Sequence, residues 1–127
     1  MKSCIFKSIK IRNDMIEVYG IKNCDKIQKT KKWLSEEEIE FEFFDLNEVP
    51  LRREELEEFV YRVGIDTLVN KRSRTWRDLG LKDKELSDDE LFEELLENQT
   101  MIKRPVMISG EAMIVGYDED AFDTFVD

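Results

Sequence analysis

Hydrophobic and polar positions fall in blocks along this chain, and the period changes from block to block. Residues 16–19, Ile-Glu-Val-Tyr, read as a short strand closed by Gly20. From Asp25 the positions Ile27, Thr30, Trp33 and Leu34 recur at helical spacing, and that face ends at Leu34-Ser35-Glu36. Glu40-Phe41-Glu42-Phe43-Phe44 returns to period two, which predicts a strand with its aromatic face inward. Pro50 is expected to initiate a second helix carrying Leu51, Leu56, Phe59, Val60 and Val63, with Gly64 as its stop. The acids Glu54, Glu55, Glu57 and Glu58 fall mostly on the opposite, solvated face. Residues 65–81 are mixed and include a basic stretch at 71–77. Ser87-Asp88-Asp89-Glu90 has the form of a capping box ahead of Leu91, Phe92, Leu95 and Leu96. Two apolar runs, 101–108 and 112–116, are split by Ser109-Gly110 and read as a hairpin, and an amphipathic segment, Glu119–Val126, closes the chain.

The order is therefore β-α-β, a set of helices, then β-β-α: an α/β domain with an inserted helical block. The insertion is placed at 51–100, between core segments 15–50 and 101–127. Residues 1–14 differ from the rest, with four basic residues against one acid, and are read as a disordered leader or an upstream start-site choice ahead of Met15; the alternative is a basic arm that folds back and delivers Cys4 to the active site.

Composition narrows the chemistry. The chain has 127 residues, enough for one domain with a real core, and a net charge of -10. That charge opposes nonspecific binding to nucleic acid or an anionic membrane. No run is long and apolar enough to span a bilayer, and two cysteines are too few for a secreted disulfide scaffold, so the chain is expected in the cytoplasm as a monomer. There is no histidine, which removes Cys-His and Ser-His nucleophile pairs and any zinc site with histidine ligands. The spacing of Cys4 and Cys24 resembles no metal motif, and no tightly bound cofactor is expected. A nucleophile in this chain must be activated by backbone dipoles or fixed cations.

Cys24 stands where the first strand gives way to the first helix. Free backbone N–H groups and the positive end of the helix dipole lie at such a junction, and both stabilise a thiolate over a thiol. Lys22 and Lys26 add positive charge nearby. A thiolate so placed attacks disulfides, other electrophilic sulfur or an oxyanion. The alternative is a half-buried small side chain that happens to begin a helix.

The Cys24 loop, the Gly64-Ile65 turn, the stretch Trp76-Arg77-Asp78-Leu79-Gly80-Leu81 and Ile102-Lys103-Arg104-Pro105 occur together and in order. In that combination the chain resembles the arsenate reductase (ArsC/Spx) superfamily, most closely its YffB-like branch, over nearly all of its length from Met15. The resemblance implies a thioredoxin-like (glutaredoxin-like) fold with a helical insertion, and a cis Arg104–Pro105 bond beside the cysteine loop. It implies that Cys24 is the nucleophile, with Asn23 in the loop before it and glutathione, another thiol or a glutaredoxin-type protein regenerating it. It implies that Arg104 binds an oxyanion and stabilises the thiolate, a task suited to a planar, permanently charged fork of donors.

Members that reduce arsenate place three arginines around the anion. The first aligns with Asn70, with Lys71 and Arg72 adjacent, and the third falls near Ile114 and Val115, where no cation stands. Each missing charge removes roughly 2.7–4 kcal/mol by analogy with oxyanion donors, so efficient arsenate reduction is not expected. The expected site is Cys24 and Arg104 for catalysis, with Asn23, Asn70, Arg72 and Pro105 around a small thiol or oxyanion. Spx-type members instead bind RNA polymerase and sense oxidants through a Cys-x-x-Cys pair. The second cysteine of that pair is Ile27 here, which favours a monothiol reductase over a regulator.

Overall fold

The computed structural model describes residues 15–126; Cys4 and the leader expected at 1–14 lie outside them. Four strands form one sheet in the order β2-β1-β3-β4. They are β1 (Ile16–Gly20), β2 (Phe41–Asp45), β3 (Val106–Ser109) and β4 (Ala112–Val115). β1 runs parallel to β2 and antiparallel to β3, and β3 turns back antiparallel into β4. Helix α1 (Asp25–Glu36) makes the crossover from β1 to β2. Helices α2 (Arg53–Val63), α3 (Ile65–Leu68), α4 (Arg74–Asp78) and α5 (Asp88–Glu97) lie between β2 and β3 in sequence, and α6 (Glu119–Val126) ends the chain. This is the thioredoxin-like arrangement that the resemblance implies.

Strand alternation divides the core into two layers. Ile16, Val18 and Met107 face Trp33 and Leu34 of α1 and Phe122 of α6. Val106 and Ile108 face the other way, into a larger cluster with Leu56, Phe59, Leu68, Trp76, Leu91 and Leu95 from the helical block. Period-two patterning thus supplies both faces of the sheet, and the helices on each side bury one stripe apiece.

Three details differ from the sequence expectations. Helix α2 begins at Arg53, not at Pro50. The Leu51 backbone is claimed elsewhere: its N–H donates to Gln99 Oε1 (2.8 Å), and its carbonyl accepts from Gln99 Nε2 (2.9 Å). The aromatic residues of β2 are split between faces. Phe41 and Phe43 pack on the α1 side, whereas Phe44 stacks on Tyr19 at 4.9 Å on the other. As an edge strand, β2 leaves all three only half-buried. The first hairpin strand is also shorter than its apolar run, because Gln99–Met101 forms a 3-10 turn and Ile102 makes an isolated bridge to Val69. The Ser87–Glu90 capping box is present, with Glu90 N–H donating to Ser87 Oγ (3.2 Å) and Ser87 N–H to Glu90 Oε1 (2.9 Å).

Gln99 is buried, and its side-chain amide pins the approach to α2 against the end of α5. Replacing Gln99→Leu keeps the volume but leaves a buried N–H and C=O of Leu51 unpaired. Urea denaturation should show a loss of about 2–6 kcal/mol, from roughly 1–3 kcal/mol for each of the two unsatisfied groups.

Candidate active site

Cys24 is the N-cap of α1, in extended backbone (φ -124°, ψ 131°), and its carbonyl accepts the Gln28 N–H at 2.9 Å. Its thiol makes no capping hydrogen bond, so the first-turn amides are left without a side-chain acceptor. The side chain is half-buried, open to attack on one side. The preceding turn is fixed by Gln28 Nε2 donating to the Lys22 carbonyl and by the Leu46 N–H donating to the Gly20 carbonyl at 2.8 Å.

A cleft of about 500 Å³ opens at this thiol. Asn70, Arg72, Lys103 and Arg104 line it from two further segments, with Asp25, Lys26 and the stretch Val115-Gly116-Tyr117 completing the walls. The two segments are laced together: Asn70 N–H donates to the Met101 carbonyl, and Lys103 N–H to the Leu68 carbonyl, each at 2.7 Å. The bridge between Val69 and Ile102 lies between those bonds. Asn70 Oδ1 accepts the Arg72 N–H at 3.0 Å, an Asx turn that carries Arg72 to the cleft. Arg104 Nη1 donates to the Thr100 carbonyl at 3.3 Å, and Thr100 is itself hydrogen-bonded through its hydroxyl to Thr75 at 2.8 Å. The Arg104–Pro105 bond is cis, as the resemblance implies.

The structure therefore brings Cys24, Asn70, Arg72 and Arg104 together. Asn23 is exposed in the turn and is not a wall of the cleft. Pro105 is buried behind it, where its carbonyl accepts the Gly116 N–H at 2.8 Å. Lys71 turns away, its ammonium 5.8 Å from the Trp76 ring centre. Lys22 also contributes less than its sequence position promised, because its ammonium pairs with Glu48 at 2.9 Å. Local sequence could not reveal that partner across the chain.

Two residues enter the site without a sequence signal. Lys103 reaches the cleft only because the strand-like pairing of 68–70 with 101–103 orients it. Tyr117 arrives from the end of β4, and its hydroxyl donates to Glu119, which pushes the phenol up to about 12. Its ring packs edge-on against Phe122, 5.2 Å between centroids.

Charge sets this cleft apart. Lys26, Arg72, Lys103 and Arg104 meet a single wall carboxylate, Asp25, in a strongly acidic chain. None of the four has a carboxylate within 4.0 Å among the described residues. The third arginine of the family is expected around Ile114 and Val115, and of these Val115 lines the cleft without charge. No group of metal-ligating side chains occurs among the described residues.

Residues 19–125 match the ArsC family model. The chain belongs to the ArsC family. A protein of Haemophilus influenzae of uncharacterised function is 39% identical over 109 residues, covering 85% of this chain and 96% of that one. The global transcriptional regulator Spx of Streptococcus agalactiae is 29% identical, over 88% of this chain and 83% of its own. The solved structure of the YFFB (PA3664) protein superposes with a TM-score of 0.82 at 32% identity, over 89% of this chain and all (100%) of that one. The likeness to Spx is one of sequence, and that to the YFFB (PA3664) protein is one of both sequence and fold.

Ile27 and Arg104 both lie against Gly20. A Cβ at Gly20 would stand 2.7 Å from Ile27 Cγ1 and 3.8 Å from Arg104 Cγ. Ile27 is fully buried and has no room to retreat. Gly20→Ala should therefore cost about 1–3 kcal/mol in urea denaturation, as overpacked core positions do.

Proposed function

We propose that this ArsC-family protein is a cytoplasmic monothiol oxidoreductase in which Cys24 is the nucleophile and a small thiol, glutathione foremost, is the reductant. One observation carries the reading: an uncapped cysteine at a helix N-terminus shares a cleft with four cations that have no carboxylate partner among the described residues. The Cys24 thiolate attacks one sulfur of an oxidised substrate, RS–SR′. A new Cys24–S–SR′ bond forms as RS⁻ leaves and takes a proton. A second thiolate then attacks the SR′ sulfur, forming a disulfide and releasing the Cys24 thiolate. The α1 amides and Arg104 hold the negative charge on Cys24 at the start and end of the cycle. A glutaredoxin-type protein could supply the second thiol in place of a free one.

Arsenate fits this cleft less well. Arg72 can take the place of the family's first arginine, but Val115 leaves the third position uncharged. No resolving cysteine stands one helical turn on, because Ile27 fills that position and is fully buried. Among the described residues no second thiol stands near Cys24, and in this reading an external thiol resolves the adduct.

The identity to Spx across most of the chain supports a second reading, a regulator that binds RNA polymerase without thiol chemistry. Steady-state reduction of a glutathione mixed disulfide separates the two. Cys24→Ser should abolish turnover while leaving the thermal midpoint within a few degrees. Arg104→Ala should reduce kcat/KM by roughly 10²–10³, the range for one lost oxyanion donor. Undiminished turnover in Cys24→Ser would remove the mechanism. Absent turnover in the wild type, with polymerase binding in both, would establish the regulator.

A further inference from the structure

The sheet has a second exposed feature, on the face opposite α1 and at the far end of β1 from Cys24. Helix α2 covers only part of that face. Beside it a cleft of about 540 Å³ is floored by Met15, Tyr19, Phe59 and Ile108. Tyr19 is held there between the stacked Phe44 ring and the edge of Phe59, 5.2 Å between centroids. Four acids and one cation, Arg62, surround this apolar floor. Glu54, Glu55 and Glu58 come from α2, and Glu17 stands on β1 itself, accepting from the Tyr19 hydroxyl at 3.0 Å. In the strand register Glu17 lies directly beside Glu42 of β2, so two like charges share one face of the sheet. Such a pairing destabilises a sheet unless a cation meets it.

Only part of that charge is answered among the described residues. Arg52 makes exposed pairs with Glu54 (3.8 Å) and Glu55 (3.4 Å). The Arg62 guanidinium donates to the Gly110 carbonyl at 3.0 Å and not to a carboxylate. Glu17, Glu42 and Glu58 have no basic partner within 4.0 Å among the described residues.

The chain itself carries a complementary segment. Residues 1–14 hold Lys2, Lys7, Lys10 and Arg12 against a single acid, Asp14, together with Ile5, Phe6, Ile9 and Ile11. Within it Ile9-Lys10-Ile11-Arg12 alternates apolar and basic residues, the pattern that offers one side to an apolar floor and the other to an acidic rim. The segment joins the domain at Met15, and Met15 is itself a wall of this cleft. Arg12 is three residues away, a reach of about 10 Å in an extended chain. The tether at Met15 raises its effective concentration there far above that of a free peptide.

We propose that the basic segment 1–14 docks in the acidic, tyrosine-floored cleft between β1 and α2, making this face an intramolecular binding surface separate from the Cys24 cleft. The interaction is electrostatic at its rim and therefore weakens with salt.

The test uses the full chain carrying Cys24→Ser, with a nitroxide on Cys4 and uniform nitrogen-15. Docking predicts paramagnetic broadening at the amides of Glu17, Tyr19, Glu55, Glu58, Ile108 and Gly110, at least threefold stronger than at the Asn70–Arg72 turn. It should fall to background in about 0.5 M NaCl and in the Glu55→Lys/Glu58→Lys double variant. The proposal is overturned by weak broadening spread evenly over the surface or by broadening centred on the Cys24 cleft. It is also overturned if spin-labelled chain without nitrogen-15 broadens the same amides of unlabelled nitrogen-15 chain, which would make the occupant a second copy. Should the double variant fail to fold, the salt dependence of the parent decides.

Discussion

The bare Cα of Gly20 is the constraint on which the site depends. Ile27, on the first turn of α1, lies against it, and the Arg104 side chain passes close by. With no Cβ at that strand end, the helix can begin hard against the sheet, and its N-cap cysteine comes within the same cleft as the Arg104 segment. The two segments that deliver cations, 70–72 and 103–104, are then locked to one another by backbone hydrogen bonds and the Val69–Ile102 bridge. Loop side chains on such a scaffold need little further ordering when a ligand arrives.

Electrostatics makes the arrangement selective. A chain with net charge -10 repels anions over most of its surface, yet the cleft that contains Cys24 gathers four cations without carboxylate partners among the described residues. A pocket of one sign within a field of the other would concentrate an anionic ligand at the thiol. The surrounding ion pairs are exposed and contribute little to stability, so the distribution of charge concerns binding more than folding.

Much of this was legible from periodicity. The strand at β1, the helix after Cys24, the capping box at Ser87, the β3–β4 turn and the closing helix all appear in the pattern of apolar positions. The failures share one cause, partners distant in sequence. Gln99 holds the Leu51 backbone and so moves the start of α2, and Tyr19 receives Phe44 on the face that strand alternation gives it, opposite Phe43. At the site, Cys24 is visible from its junction and Arg104 from the family motif. Lys103 and Tyr117 are not, because their presence depends on strand pairing and on the end of β4. Lys22, close to Cys24 in sequence, is lost to Glu48 for the same reason.

The most direct measurement compares two alkylating agents at Cys24, neutral iodoacetamide and anionic iodoacetate, in the native chain and in the same chain unfolded in urea. A cationic cleft predicts that the ratio of iodoacetate to iodoacetamide rates rises at least severalfold on folding, falls with added salt, and collapses in Arg104→Ala. A ratio equal to or below that of the unfolded chain would mean that Cys24 feels the acidic field of the whole protein, and the account of the cleft as an anion-collecting thiol site would be wrong.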